Sequence, residues 1–366
     1  MAPKKLKKIL IMTATGSYNL GDELILQEEV RFIKAHYGNV DITIFTHDPK
    51  STIVRDDSIH YVRYFPTNLL RNPIGNIYFF FKNLWIIARA DVLVIGGGGI
   101  IFDNEPGVSF SALLYQWWLR IKIARVSGTT LLFWGISLEV QKVANKMRLK
   151  MLFQSGDFIL VRDERSKGLL DALEIPAEQT QDIVFLYEPP DNIGFKLKEK
   201  RVGISVRGGF LGDNETMIPL IYDFLVSEGY TPVFLVHSTG GEEAQNDALY
   251  IRRVMMGRTY NVTKTIRQTL DVYPFLYAVV GMRFHAGILA CVHEVPFISI
   301  TYGPKSHELI QSLEIPHMVI EPNELNVENF QNMWHNLVEN YEREKSNMVR
   351  KHASIRENLV RHLETI

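Results

Sequence analysis

Late in the chain, three residue types that handle small anions and protons stand within a short distance of one another. Arg283 and His285 lie in Gly281-Met282-Arg283-Phe284-His285-Ala286, and Lys305 follows the histidine by twenty residues in Thr301-Tyr302-Gly303-Pro304-Lys305-Ser306. A guanidinium grips carboxylate or phosphate in a bidentate fork, and an ammonium acts on the same groups as a point charge. Imidazole titrates near neutrality and carries protons. The set suits a small, multiply charged anion that undergoes proton transfer.

The elements around these residues predict how they are positioned. Tyr277-Ala278-Val279-Val280 is a short apolar strand run, and Ala286 to Val292 reads as a buried helix, so Arg283 and His285 fall in a strand-to-helix turn. The next strand, Val295 to Ile300, delivers Lys305 to the same rim. Ligands of open parallel sheets bind outside the carboxyl ends of the strands, where helix N-termini present N–H groups to anions. A third cluster, Arg162-Asp163-Glu164-Arg165-Ser166, ends the strand Phe158 to Val161. Its plain reading is a helix start with Asp163 as cap and Arg165 in solvent. The functional reading makes Arg162 an anion clamp projecting from the first domain toward the second. Arg207-Gly208-Gly209 closes the strand Gly203 to Val206 in the same manner and is a weaker candidate.

Two glycine-bearing stretches complete the set. Thr13 to Glu23 contains Gly16, Asn19, Gly21 and Asp22, which suit a tight turn after a strand and a capped helix. It lacks the G-x-G-x-x-G spacing of a dinucleotide site. Asp91 to Ile95 runs into Gly96-Gly97-Gly98-Gly99, and four glycines at a strand's carboxyl end imply close approach of a ligand or a packed turn. Asn19, Asp22, Gly97 and Gly98 are the residues expected to meet an acceptor.

A chain of 366 residues exceeds the size at which one core stops growing, which predicts more than one domain. A net charge of −1 argues against general nucleic-acid binding. The single cysteine, Cys291, leaves no intrachain disulfide and fits a reducing cytoplasm; it reads as a small core residue rather than a nucleophile. His237 and His293 have no partners at ligand spacing, so no metal is expected. Lys4, Lys5, Lys7 and Lys8 precede an apolar run, Ile9 to Met12, that is too short for a signal peptide and reads as a first strand.

Strands and helices alternate throughout. Strands are expected at Ile9 to Thr13, Ile42 to Thr46, Val92 to Ile95, Thr130 to Trp134 and Phe158 to Arg162, with helices such as Asp22 to His36 and Ser109 to Val126 between them. A second series follows at Val202 to Val206, Pro232 to Val236, Ala278 to Val280, Phe297 to Ile300 and His317 to Ile320. The prolines of Tyr187 to Asn192 look like a linker. The expected fold class is α/β, with two Rossmann-like domains facing across a cleft. The boundaries are residues 1–190 for an N-terminal α/β domain on the acceptor side, 191–325 for a C-terminal α/β domain with the donor anion site, and 326–366 for C-terminal helices packing back on the first domain.

Taken in order, these segments resemble the polysaccharide pyruvyl transferase family. The matching pieces are G-S-Y-N-L-G-D-E at Gly16 to Glu23, D-V-L-V-I-G-G-G-G at Asp91 to Gly99, V-R-D-E-R-S at Val161 to Ser166, G-I-S-V-R at Gly203 to Arg207, and G-M-R-F-H with Y-G-P-K at the end. The resemblance implies a GT-B-like fold and transfer of pyruvate from phosphoenolpyruvate to a sugar as a ketal, with no cofactor. It places the family's anion-binding and catalytic positions at Arg162, Arg283, His285 and Lys305. A lone histidine here would read as a cap or core residue; Arg283, Lys305 and the resemblance together reverse that, and either His285 or Lys305 can donate the proton. Gly135-Ile136-Ser137-Leu138 lacks the family's usual Gly-Pro ending, and Gly303 stands where an aspartate often precedes Pro-Lys. Both departures bear on the acceptor more than on the donor.

The acceptor implied is a cell-surface polysaccharide or its lipid-linked precursor, met in the cytoplasm or at the inner face of the membrane. The helix around Tyr115, Trp117, Trp118 and Leu119 reads as core, while Ile77 to Phe81 with Lys82 and Trp85 can form an amphipathic face resting on a membrane. Lys82, Arg89 and Asp91 interrupt the apolar region Ile77 to Ile101, which argues against a transmembrane helix. The competing function on the same architecture is a GT-B-type glycosyltransferase or nucleotide-sugar epimerase using a nucleotide-sugar. A noncatalytic scaffold leaves the convergence of cations unexplained.

Overall fold

The computed structural model describes residues 7–64, 73–103, 110–189, 200–243 and 245–364. Lys4 and Lys5, the start of the Ser109 helix and the linker positions at 190–192 lie outside the described residues, as does the side chain of Tyr115. Two compact units divide the chain: Met1–Ser17 with Asp22–Ile183 and His362–Ile366, and Tyr18–Gly21 with Val184–Arg361. The four residues Tyr18–Gly21, the end of the first βα loop and the first two residues of the helix after it, thus group with the second unit.

In the first unit the elements run β1 (Lys8–Met12), α1 (Leu20–Tyr37), β2 (Asp41–Thr46), β3 (Ile59–Arg63), α2 (Pro73–Ile87), β4 (Val92–Phe102), α3 (Phe110–Val126), β5 (Thr130–Glu139), α4 (Val143–Phe153), β6 (Phe158–Val161), α5 (Glu164–Ala172) and β7 (Glu178–Gln179). The strands form one sheet in the order β3-β2-β1-β4-β5-β6-β7, all neighbours parallel. Ile-Leu-Ile-Met in β1 and Ile-Leu-Val in β6 are buried without alternation, as expected for strands covered on both faces. Phe45, Phe133 and Phe153 are fully buried, and such a side chain contributes about 1.5–3 kcal/mol.

The second unit continues with β8 (Arg201–Ser205), α6 (Met217–Ser227), β9 (Thr231–Phe234), α7 (Asp247–Val254), β10 (Asn261–Val262), α8 (Ile266–Val272), β11 (Ala278–Gly281), α9 (Phe284–Val292), β12 (Phe297–Ile300), α10 (Pro304–Leu313), β13 (Val319–Ile320), α11 (Val327–Glu339) and α12 (Tyr341–Leu363). Its sheet has the order β10-β9-β8-β11-β12-β13, again parallel throughout. Trp334 of α11 is fully buried and meets Tyr230 edge-on at 4.8 Å. Cys291 is fully buried on α9, and burial pushes its thiol up to about 12, in keeping with a core role.

In both sheets the strand order reverses beside the first strand, between β1 and β4 in one and β8 and β11 in the other. Those switch points are where ligands of doubly wound sheets bind.

The glycine run lies within a strand rather than after one: β4 continues through Gly96–Gly99 to Phe102. Gly97 and Gly98 have φ of +53° and +87°, and pairing with β5 shifts register between Gly98 and Ile101. Glycine tolerates this left-handed backbone, so the strand kinks and resumes.

Candidate functional site

Register alone brings the cations of the second unit to one level. Gly281 of β11 pairs with Ser205 of β8 on one side and with Ser299 of β12 on the other. Arg207, Arg283 and Thr301 therefore each stand two residues beyond the same row. Arg283 is the N-cap residue of α9, with extended φ −73° and ψ 131°, and His285 occupies that helix's first turn. Lys305 follows Pro304 in the first turn of α10, whose N-cap is Gly303. Because β11 and β12 are adjacent and parallel, both helices present their positive ends at the same sheet edge.

Arg283 is held by an aspartate that sequence reasoning did not single out. Its Nε donates to Asp247 Oδ1 at 3.2 Å and its Nη2 donates to the same oxygen, while Asp247 Oδ2 accepts from the backbone N–H groups of His237 at 2.9 Å and Ser238 at 3.0 Å. The Asp247 side chain is 1% exposed and that of Arg283 11%. Burial raises the Asp247 carboxyl, and the neighbouring guanidinium opposes that rise.

His237 lies behind this pair. Its Nδ1 is 3.2 Å from the Leu235 carbonyl and 3.1 Å from Ser205 Oγ, and its Nε2 is 2.8 Å from Tyr273 Oη. A carbonyl can only accept, which puts the proton on Nδ1 and lets Nε2 accept from Tyr273. Burial, reinforced by the charge of Arg283, lowers the imidazole to about 3, so the ring is neutral.

The segment Tyr18–Gly21, which leads into α1, is laced to the same region. Leu20 N–H donates to the His237 carbonyl at 2.7 Å, Thr239 N–H to the Tyr18 carbonyl at 3.0 Å, and Gly21 N–H to Asn19 Oδ1 at 2.9 Å. Gly21 lies flat against His285: a Cβ there would come within 2.0 Å of Nδ1 and 2.3 Å of Cε1. On the other flank, Arg207 Nη1 donates to Tyr302 Oη at 3.0 Å, with its guanidinium 4.8 Å from the Phe210 ring centroid. The Phe210 and Tyr302 rings are 4.1 Å apart. These contacts fix the guanidinium plane beside the segment that carries Lys305.

Arg162 and the remaining acceptor candidates belong to the first unit. Arg162 Nη1 donates to Asp182 Oδ2 at 2.6 Å, with the two side chains 5% and 3% exposed. Asp163 caps α5 by accepting from Ser166 N–H at 2.8 Å and also accepts from Ser137 Oγ at 2.6 Å. Asp22 accepts from Ser17 Oγ at 2.9 Å. A Cβ on Gly97 would meet Ile25 Cγ2 at 2.0 Å, and one on Gly98 would stand 3.5 Å from Asp22 Oδ1. Glu29 of α1 is wholly buried against Gly96, where a Cβ would lie 2.2 Å from Oε1. Burial, with the charge of Asp182 added, holds its carboxyl well above the usual range.

The structure thus gathers Arg283, His285, Lys305 and Asn19 in one unit, and Arg162, Asp22, Gly97 and Gly98 in the other. Asp247 left a faint trace in the sequence: Asn246-Asp247 is a helix start, and Asn246 does cap α7 by accepting from Leu249 N–H. Its pairing with Arg283, 36 residues on, has no local signature. Tyr302 lay within the Lys305 motif and its role as partner to Arg207 was not foreseen.

The fold is of the GT-B type, two parallel α/β sheets, each of Rossmann-like strand order. HepE of Anabaena in complex with UDP-glucose superposes with a TM-score of 0.60 at 12% identity, over 98% of this chain and 100% of that one. UDP-GlcNAc 2-epimerase of Neisseria meningitidis bound to UDP-GlcNAc gives 0.58 at 11% identity, over 97% and 100%. Os79 of O. sativa gives 0.57 at 10% identity, over 98% of each chain. A profile of the family described as polysaccharide pyruvyl transferase matches residues 19–304, and the chain belongs to that family. No curated protein matches it significantly.

Proposed function

We propose that the protein transfers the pyruvyl group of phosphoenolpyruvate to a pair of saccharide hydroxyls, forming a pyruvate ketal. The observation that carries this reading is the sheet-edge grouping of Arg283, His285 and Lys305 beside two helix N-termini in a member of this family. Phosphoenolpyruvate bears a carboxylate and a phosphate on a small core, and fixed cations with helix dipoles match both. The family resemblance assigns Arg162 to the same anion, and that assignment is part of the proposal.

The chemistry balances without a redox step. The enol CH2 takes a proton, one sugar hydroxyl adds to C2 and loses its own proton, and the C2–O bond to phosphate breaks. A second hydroxyl then adds to C2 and releases a proton, leaving a cyclic ketal and inorganic phosphate. His285 or Lys305 supplies the first proton, and Arg283 and Lys305 hold the leaving phosphate. Asn19, Asp22, Gly97 and Gly98 are assigned to the acceptor, a cell-surface polysaccharide or its lipid-linked precursor at the inner face of the membrane.

A thermal-shift comparison tests the donor. Phosphoenolpyruvate at 100 to 1,000 times its dissociation constant is expected to stabilise the protein by roughly 2.7 to 4.1 kcal/mol. Stabilisation by a uridine diphosphate sugar, with none by phosphoenolpyruvate, would replace the reading with nucleotide-sugar transfer or epimerisation. Release of phosphate only when a saccharide acceptor is added then tests the transfer.

A further inference from the structure

Helix α2 leaves a continuous apolar stripe uncovered. Ile74, Ile77, Tyr78, Phe81 and Trp85 are 81, 59, 68, 63 and 57% exposed, and their spacing of three, four, seven and eleven residues from the first puts them on one helix face. The opposite face is anchored: Ile87 is fully buried, and Asn83 Nδ2 donates to the Tyr64 carbonyl at 2.9 Å. Aligned exposure of five large side chains is unlike the scattered apolar residues of an ordinary surface.

The segments that carry the stripe hold charges of one sign. Residues 58–90 contain no aspartate or glutamate, and neither do residues 106–138, although the chain has 41 acids among 366 residues. Lys82 is exposed on α2, and the Arg89 guanidinium sits 4.3 Å from the Trp85 ring centroid. On α3, which packs against α2, Trp118 is exposed with Lys122 Nζ 6.0 Å from its ring centroid. Exposed aromatic rings flanked by Lys82, Arg89 and Lys122 match the boundary between acyl chains and anionic headgroups, and Asp41 is the acid that shares a pocket with Trp85 and Arg89. A second copy of the chain docked on this face would set cations against cations. Among the described residues no helix is long and apolar enough to cross a membrane, so the stripe suits a helix lying in the interface plane.

We propose that the α2 face, with Trp118 and Lys122 of α3, docks the protein on an anionic lipid surface. The saccharide-acceptor reading gives this surface a use, a lipid-linked substrate, but lipid binding is measured without donor or acceptor and the two ideas fail separately.

The test is co-sedimentation of the full chain with vesicles of phosphatidylcholine doped with phosphatidylglycerol, against vesicles of phosphatidylcholine alone. Wild-type protein is expected to sediment with the anionic vesicles, less so as salt is raised. Phe81→Ser with Trp85→Ser should lower the partition coefficient at least about tenfold, and Lys82→Glu with Arg89→Glu should abolish the preference for anionic lipid. Both variants alter exposed side chains, so their melting transitions and any phosphoenolpyruvate-induced shift should match wild type. Failure of the wild type to bind anionic vesicles would overturn the proposal, as would binding that neither variant weakens. A solution dimer dissolved by the same substitutions would assign the stripe to a second copy instead.

Discussion

Gly21 has no side chain because the imidazole of His285 occupies the space where one would begin, 2.0 Å from the position of its Cβ. The first turn of α1 thereby becomes a wall for a histidine 264 positions later in the chain, held there by Leu20 N–H on the His237 carbonyl, with Asn19 Oδ1 accepting from Gly21 N–H. In Gly21→Ala the ring must move or the start of α1 must lift. Displacement of a reacting group by about 1 Å can cost on the order of 100-fold in rate. Turnover of phosphoenolpyruvate with a cognate acceptor should fall by about that factor, with a much smaller change in KM. Unchanged turnover would mean that the orientation of His285 does not matter to the reaction.

Arg283 cannot be truncated without consequence for folding, because Asp247 would keep a buried carboxylate with its main cation gone. Breaking a buried pair by removing one partner costs about 3–5 kcal/mol. Arg283→Ala should therefore lower stability as well as donor affinity, and a loss of activity alone says little about the anion. Arg283→Lys and Asp247→Asn are the informative variants. Each keeps a hydrogen-bonding group in place, and each should raise KM for phosphoenolpyruvate with a smaller effect on kcat. A fall in kcat at unchanged KM would instead put Arg283 in the chemical step.

The same reasoning applies to Arg162 and Asp182, where the arginine is more deeply buried than Arg283 and the aspartate nearly as buried as Asp247. Arg162→Ala should destabilise by about 3–5 kcal/mol, read from urea unfolding. If Arg162 also grips donor, Arg162→Lys should keep most of the stability and still raise KM for phosphoenolpyruvate, since an ammonium lacks the bidentate fork. Equal KM in Arg162→Lys and wild type would leave Arg162 as a structural residue.

Much of this architecture was legible because buried parallel strands are written as unbroken apolar runs: Ile9 to Met12, Ile159 to Val161 and Ala278 to Val280 leave little choice. The strands that escaped notice are edge strands. β3 is Ile-His-Tyr-Val-Arg with only Ile59 buried, and β7 and β10 are two-residue segments, Glu178–Gln179 and Asn261–Val262, with no fully buried side chain. Too little apolar surface is buried there to mark the sequence. The site was legible where its residues share a strand-to-helix turn, as Arg283 and His285 do. Asp247 and Gly21 were not, because what they contribute is a contact with a residue far along the chain, and a pattern read along the sequence carries no distance in space.

Proton transfer can be separated from donor binding. His285→Gln retains a polar side chain of similar reach but cannot exchange a proton near neutrality. Turnover should fall roughly 100-fold or more while the thermal shift with phosphoenolpyruvate largely survives. Lys305→Ala should behave as an affinity variant if Lys305 only holds phosphate, and as a turnover variant if it is the proton donor. Near-normal turnover in His285→Gln would transfer the donor role to Lys305.

His237 supplies a prediction that does not depend on the reaction. In the folded chain its imidazole is lowered to about 3, whereas the ordinary value is 6.5, so the unfolded chain binds a proton at a pH where the folded one does not. Above pH 6.5 both states are neutral and the residue adds no pH dependence. As pH falls from 6.5 toward 3 the unfolded state gains a proton first, and stability drops by about 1.4 kcal/mol for each pH unit. Below 3 both states are protonated and the loss levels off. Between pH 7 and pH 5 this one residue should cost about 2 kcal/mol. His237→Gln, which keeps hydrogen-bonding capacity toward Ser205 and Tyr273 without a titrating ring, should remove that slope. Urea unfolding of both proteins at the two pH values measures it, and an identical pH dependence would mean that His237 is charged, or open to solvent, in the native protein.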